Sequence, residues 1–244
     1  MPRKPKASSA KPATAAGSAT PAAPKKRGRK PGSYQWYEIQ DNTAYFPEFS
    51  KPKIVWIEIS DRANYAYDET GKFLTNSAYF ISGKDLKYIL AILNSNVADY
   101  YFSQITATIA GGRKRYTKQY VEQIPIPMAS IEEQLEIEKL TDYLISLKSF
   151  NENQEARNAF NHFENILNAV VYELYFEDQV KKEGLEIIKY VKKLPKLGKK
   201  DPLRQALSLH NETFDKDHPI RNSIFFMSSI PEIKEIEESF KTNK

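Results

Sequence analysis

The chain has 244 residues, no cysteine, three histidines and a net charge of +5. That length is enough for one or two domains with a real core, and the missing cysteines exclude disulfides, thiolate chemistry and Cys-based zinc sites, as suits a cytoplasmic protein. No apolar run approaches membrane-spanning length, and no apolar segment follows the basic N-terminus, so neither a membrane span nor a secretory signal is expected.

The charge is unevenly placed. Residues 1–33 hold nine Lys/Arg and no acid, residues 34–128 hold ten of each sign, and residues 129–244 hold seventeen Lys/Arg against twenty-one acids. Net basicity therefore belongs to the first segment. Any nucleic acid bound by the rest must meet a local patch, not a bulk charge. Residues 1–33 are Ala, Pro, Lys, Ser and Thr without an aromatic residue, which predicts a disordered basic tail. Its run Lys25–Gly32, with Arg27 and Arg29, is similar to an AT-hook, a cationic segment for the narrow minor groove of A·T-rich DNA. Lys30 separates Arg29 from Pro31, so a non-specific DNA tether stands beside a true hook. A nuclear-import signal would read the same way.

Residues 34–128 carry eighteen of the thirty aromatic residues. After Pro52, Val55, Ile57 and Ile59 alternate with Trp56, Glu58 and Ser60, the pattern of a strand that buries at least one face. Tyr65–Tyr67 and Lys72–Leu74 flank Asp68-Glu69-Thr70-Gly71, which predicts a hairpin turn. Asn76–Ile81 reads as another strand. From an N-cap at Asp85, apolar residues recur at three- and four-residue steps through Leu86, Ile89, Leu90, Leu93, Val97 and Tyr100, which marks one amphipathic helix.

The most informative stretch follows: Gly111-Gly112-Arg113-Lys114-Arg115-Tyr116-Thr117-Lys118-Gln119-Tyr120, and then Ile124-Pro125-Ile126-Pro127. Two glycines free the backbone for close approach. Four cations interleave with tyrosines, suiting phosphate, guanine edges and base stacking. Strand, strand, Leu93-Asn94-Ser95 helix, glycine–basic loop and Ile-Pro-Ile-Pro element, in that order, resemble the TaqI-like C-terminal specificity domain. The resemblance covers roughly residues 34–128 and more loosely the helices beyond. It implies an α+β fold with a mixed sheet. It also implies a DNA-binding specificity module of a bacterial restriction-modification system. Such a module positions a separate or missing adenine-N6 methyltransferase or endonuclease. The implied partners are double-stranded DNA and a methyltransferase or restriction subunit, with no cofactor.

Residues 129–244 read as helices that include an antiparallel helical hairpin. Ser130-Ile131-Glu132-Glu133 spells a capping box. Ile137, Leu140, Leu144 and Leu147 form one seam. After Asn151-Glu152-Asn153, Ala156, Phe160, Phe163, Leu167, Val170 and Leu174 form its partner. Asp201-Pro202 starts another helix, and Pro219 and Pro231 punctuate the last two. No internal repeat is read beyond the seams.

No glycine-rich S-adenosylmethionine loop and no Pro-Pro pair occurs, so the Asn-Pro-Pro-Tyr type of element that grips a flipped adenine is missing. Glu232-Ile233-Lys234 has the spelling of a nuclease motif but sits at the start of an amphipathic helix. His162, His210 and His218 show no ligand spacing, and His162 falls on the polar side of its seam, where solvent is expected. The chain is not expected to be an enzyme by itself.

The expected DNA contacts are Arg113, Lys114, Arg115, Tyr116 and Lys118 first. Core packing is the competing role for Tyr116 and the expected one for Tyr120. Arg62, Lys72 and Asn76 come second, with Asn64 read as a turn residue. Lys51 and Lys53 divide between strand-edge protection and phosphate binding. Asn94 and Ser95 are expected to shape the helix; Lys181–Lys200 divide between a DNA-backbone contact and a solvated helix face, and the solvated face is the expected one. Three functional classes remain: a specificity module, a non-catalytic remnant of a single-chain methyltransferase–endonuclease, and a helical interaction module with a tethering tail.

Overall fold

The computed structural model describes residues 44–109 and 111–241, so residues 1–33, with Arg27 and Arg29, lie outside the described residues. Strand β1 (Lys53–Ile57) is the middle of a three-stranded antiparallel sheet. β3 (Ala66–Asp68) lies on one side and β4 (Ala78–Ser82) on the other. β2 (Ile59–Ser60) leaves that sheet and pairs antiparallel with β5 (Lys114–Arg115). The α+β expectation holds among the described residues, but both sheets are antiparallel, not mixed.

The face of β1 that enters the core carries Ile54 and Trp56, while Ile57 is half exposed. Trp56 decides this register. Its ring stacks on Tyr79 with centroids 5.5 Å apart, and its Nε1 donates to Tyr116 O at 2.8 Å. A one-residue slip would turn that ring to solvent.

Residues 65–77 depart from the hairpin expectation. The turn forms: Asp68 Oδ1 accepts from Thr70 N at 3.0 Å, Oδ2 accepts from Lys72 N at 3.2 Å, and Gly71 sits at φ +76°. Lys72–Leu74 form no strand, because β3 spends its hydrogen bonds on β1 and not on them. Lys53 is neither edge protection nor phosphate ligand. It is fully buried, paired to Asp68 Oδ2 at 2.5 Å, and donates to Phe49 O at 2.8 Å, since β1 is central.

The single helix expected after Asp85 is two: α1 (Leu86–Leu93) and α2 (Asn96–Ile105). Asp85 takes a left-handed conformation at φ 53° and makes no side-chain cap. The break is made by Asn94 and Ser95. The Asn94 amide accepts from Tyr65 N and donates to Tyr65 O and Leu90 O, each within 3.2 Å, which ties the helix end to the chain before β3. Ser95 Oγ caps α2 by accepting from Ala98 N at 3.2 Å. Their helix-shaping role is thus observed.

Beyond the short α3 (Lys118–Val121), the capping box at Ser130 opens α4 (Ile131–Lys148), and Asn153 caps α5 (Gln154–Tyr175). The two pack with Ile137, Leu140, Leu147, Phe163, Leu167 and Val170 of the expected seams buried, while Tyr143, outside them, stacks on Phe163 at 5.0 Å and Leu144 is only partly covered. α6 (Glu177–Lys182), α7 (Ile188–Val191), α8 (Pro202–Thr213), α9 (Pro219–Met227) and α10 (Pro231–Lys241) complete the bundle, the last three with proline at N1 as expected. His162 corrects the solvent expectation: it is buried, with Nε2 2.8 Å from Thr213 Oγ1, because α8 covers that side of α5.

Two cores meet at α1. Leu86, Leu90 and Leu93 pack under the sheet with Ile54, Trp56 and Phe102, whereas Tyr88, Ala91 and Ile92 enter the helical core with Ile137, Phe163 and Val170. A helix apolar nearly all round is what a wall shared by two cores requires. Among the described residues no helix is long and apolar enough to cross a membrane.

Candidate nucleic-acid interface

Gly111 and Gly112 take φ +83° and +77°, conformations that a side chain disfavours, and Ile109 N donates to Arg113 O at 2.8 Å to close the turn. The returning chain is then fixed by β5 against β2, by a bridge between Thr108 and Lys114, and by Tyr116 N donating to Glu58 O at 2.6 Å. A flexible sequence therefore becomes a tight projection on a rigid base.

The core sorts the side chains of that projection. Tyr116 is 2% exposed, stacked on Phe102 at 4.3 Å, and donates its hydroxyl to Asp99 Oδ1 at 3.1 Å. Burial first, and then the Asp99 carboxylate, push its pKa well above the ordinary tyrosine range. It is a core residue here, and its ring is not available to stack on a base. Lys114 is mostly covered and lies 3.4 Å from the same Asp99 oxygen. Arg115 stands about half exposed with Nε 3.5 Å from Glu58. Arg113 and Lys118 are exposed, and among the described residues neither is ion-paired. Tyr120 meets Phe102 edge-on at 6.5 Å, partly buried, in agreement with packing.

The second group divides as well. Arg62 follows β2 by two residues and is brought beside the projection by the β2–β5 pairing. It lies near enough to Tyr116 to counter the rise of its pKa. Asn76 precedes Ser77, whose carbonyl accepts from Glu58 N at 2.9 Å, so it joins the same end of the sheet. Both are exposed. Lys72 is exposed but held at the other end of β1, beside Asp68 and Lys53. The structure thus gathers Arg62, Asn76, Arg113 and Arg115 and leaves Lys72 apart. Arg62 also lines a cleft of about 670 Å³ between residues 60–67 and α4/α5, with Asn94, Lys148 and Glu164.

Asp99 and Glu58, the acids that decide which cations stay free, were missed by sequence reasoning. Asp99 lies in a helix, 15 residues before Lys114, and no local signal distinguishes it. The Ile-Pro-Ile-Pro element joins the two cores. Ile124 is buried under the sheet, Tyr175 donates to Pro125 O, and Tyr88 donates to Pro127 O at 2.6 Å.

Glu232 and Lys234 lie exposed on α10 about the buried Ile233, and among the described residues no group of His, Asp or Glu is placed to hold a metal ion.

Residues 19–126 match the family model of the TaqI-like C-terminal specificity domain, a span that begins inside the segment read as tail and ends within the Ile-Pro-Ile-Pro element. The chain is also 29% identical over 96 residues to the type II methyltransferase M.XhoI of Xanthomonas vasicola. That alignment covers 38% of this chain and 17% of the relative, so the chain spans a minor part of that protein's length. Residues 19–126, somewhat less than half of the chain, are thus similar to the TaqI-like C-terminal specificity domain.

Proposed function

We propose that residues 34–128 are a DNA target-recognition module and residues 129–244 a helical support for it. Arg113, Arg115, Arg62 and Asn76 then meet base edges and phosphates, while Lys118 meets phosphate alone. One observation carries this reading. In an electrically balanced body, the arginines at the tip of the glycine turn face solvent while their neighbours Lys114 and Tyr116 are locked by Asp99 and Phe102. A rigid base with the Arg113 guanidinium, unpaired among the described residues, beside a half-exposed Arg115 tethered by Glu58, suits two-point reading of guanine. The adenine methyltransferase or endonuclease activity would reside in a partner or in another part of the protein, and the chain itself would be non-catalytic and cytoplasmic. Exposed Met128, Ile131 and Leu135 at the start of α4 support a protein partner on that face.

Selection of bound sites from random duplexes tests the reading. The full chain should enrich one short motif, and the Arg113→Ala chain should relax it at one position. Enrichment of no motif, with affinity that is uniform across sequences, would end the proposal in favour of a non-specific tether.

A further inference from the structure

The chain contains a repeat that periodicity did not reveal. Tyr120-Val121-Glu122-Gln123-Ile124-Pro125 and Tyr190-Val191-Lys192-Lys193-Leu194-Pro195 fold alike. In each, one turn of helix (α3, α7) ends in the same ladder. Val121 N donates to Thr117 O at 3.1 Å and Val191 N to Ile187 O at 3.1 Å. Ile124 N donates to Val121 O at 3.2 Å and Leu194 N to Val191 O at 3.0 Å. Both copies bury the Val and the following Ile or Leu. Both proline carbonyls accept from a tyrosine hydroxyl, Tyr175 in one case and Tyr143 in the other. Both lead to a capped long helix, at Ser130 and at Asp201. A glutamine near its start reaches back to the linker: Gln134 to Ala129 O at 2.9 Å, Gln205 to Lys196 O at 2.8 Å.

The copies differ mainly at exposed positions, although Ala129 packs partly against the helical core and Ser130 caps α4. Gln119, Glu122, Gln123, Ile126, Ala129 and Ser130 of the first are matched by Lys189, Lys192, Lys193, Lys196, Lys199 and Lys200 of the second. By count, residues 119–130 carry a charge of −1 and residues 189–200 carry +6. All six lysines are exposed. Since the first copy makes the same turn and ladder without a lysine at 119, 122, 123 or 126, the fold does not require Lys189, Lys192, Lys193 or Lys196. Lys192 pairs with Glu132 at 3.0 Å and Lys189 with Glu186 at 3.6 Å. Among the described residues Lys193, Lys196, Lys199 and Lys200 meet no carboxylate. The linker is nevertheless held in shape, because Gln205 Oε1 accepts from Gly198 N at 2.6 Å while its amide donates to Lys196 O.

We infer that this second copy is a phosphate-binding surface that grips duplex DNA without regard to sequence, apart from the Gly111–Arg115 projection. Lysines without arginines supply point charges and no planar fork, which suits phosphate and not base edges. No large exposed apolar residue lies within Ile187–Lys200, so the surface lacks the desolvated anchor that a protein interface needs, while a phosphate backbone needs only cations. The identity of the polyanion rests on the DNA-recognition reading; the lysine surface does not.

The test uses the full chain with Lys193, Lys196, Lys199 and Lys200 all changed to Ala, or all to Arg, beside Arg113→Ala. Affinity for the selected site and for a scrambled duplex is titrated over a series of salt concentrations. The Ala variant should lose affinity equally for both duplexes, and its log–log salt slope should shrink by about 1 for each phosphate no longer neutralised, with an unchanged melting curve. The Arg variant should retain the parent slope, and Arg113→Ala should lose discrimination between the duplexes with most of its slope kept. An unchanged slope in the Ala variant overturns the inference and turns attention to an acidic protein face. If no site is preferred, the recognition reading fails while the slope on scrambled duplex still judges the lysine surface.

Discussion

The Tyr116 ring lies flat on that of Phe102, with centroids 4.3 Å apart and planes within 4°. This packing joins the end of the glycine–basic segment to α2, and through the Tyr116 hydroxyl to Asp99 at 3.1 Å. It separates residues buried beneath the projection from residues that face solvent. Tyr116→Ala should cost about 3–5 kcal/mol of stability, as expected for emptying an aromatic core site. Tyr116→Phe keeps the stack and loses only the hydroxyl bond, at about 1 kcal/mol. Urea unfolding of both variants decides. A Tyr116→Ala chain as stable as its parent would contradict the buried placement.

Arg113 belongs to the other class. Arg113→Ala should leave the unfolding free energy within about 0.5 kcal/mol, because the side chain is exposed and only its backbone closes the turn. The same change should cost about 1–3 kcal/mol in binding to the selected site and much less on other sequences. Parallel unfolding and fluorescence-anisotropy titrations separate the two effects.

Lys53 and Asp68 form an ion pair at 2.5 Å inside the sheet, the lysine fully covered and the carboxylate nearly so. Burial pushes the Asp68 carboxyl up, but hydrogen bonds from Lys53 and Thr70 outweigh it and hold the group well below the ordinary carboxylate value of 3.8. The stability this contributes is fully present above that ordinary value and is lost as pH falls through the depressed one. Lys53→Met removes the ion pair and leaves a mostly covered carboxylate with only its Thr70 and Lys72 hydrogen bonds, and should cost about 3–5 kcal/mol at neutral pH. The deficit should narrow on acidification as Asp68 takes up a proton. A deficit that stays constant with pH would show that the pair is not the cause.

His162 is buried beneath α8. Burial, and then the neighbouring His210, Arg221 and His218, lower its pKa from 6.5 to about 4. The unfolded chain binds a proton near pH 6.5 that the folded chain refuses until about pH 4. Stability is therefore full above 6.5 and falls by about 3 kcal/mol across that interval. His162→Gln should flatten most of this slope. A residual slope comes from His210, which burial also depresses. Unfolding free energies measured between pH 7 and about pH 4 test this.

Much of the helical half was legible in the sequence, through the capping box at Ser130, the seams of α4 and α5, Asp201 at N-cap and the prolines at 202, 219 and 231. The sheet was less so. The Asp68–Gly71 turn formed without the hairpin it advertised, and the helix after Asp85 broke at Asn94, where a distant backbone at Tyr65 outbid helical continuation. The repeat of Val121–Pro125 in Val191–Pro195 escaped because its shared signal is two buried positions and a proline, while its exposed positions diverged to lysine.

Caps, seams and turns act between residues a few positions apart, so their hydrogen bonds and apolar spacing are dictated by local order, and the chain alone determined them together with its glycine hinge and its segregated charge. Whether Lys114, Arg115 or Arg113 is free, whether Tyr116 faces solvent, and whether His162 is wet all depend on partners far along the chain: Asp99, Glu58, Phe102 and α8. Desolvation and ion pairing are set by the whole packed environment, and only the tertiary structure brings that environment into being.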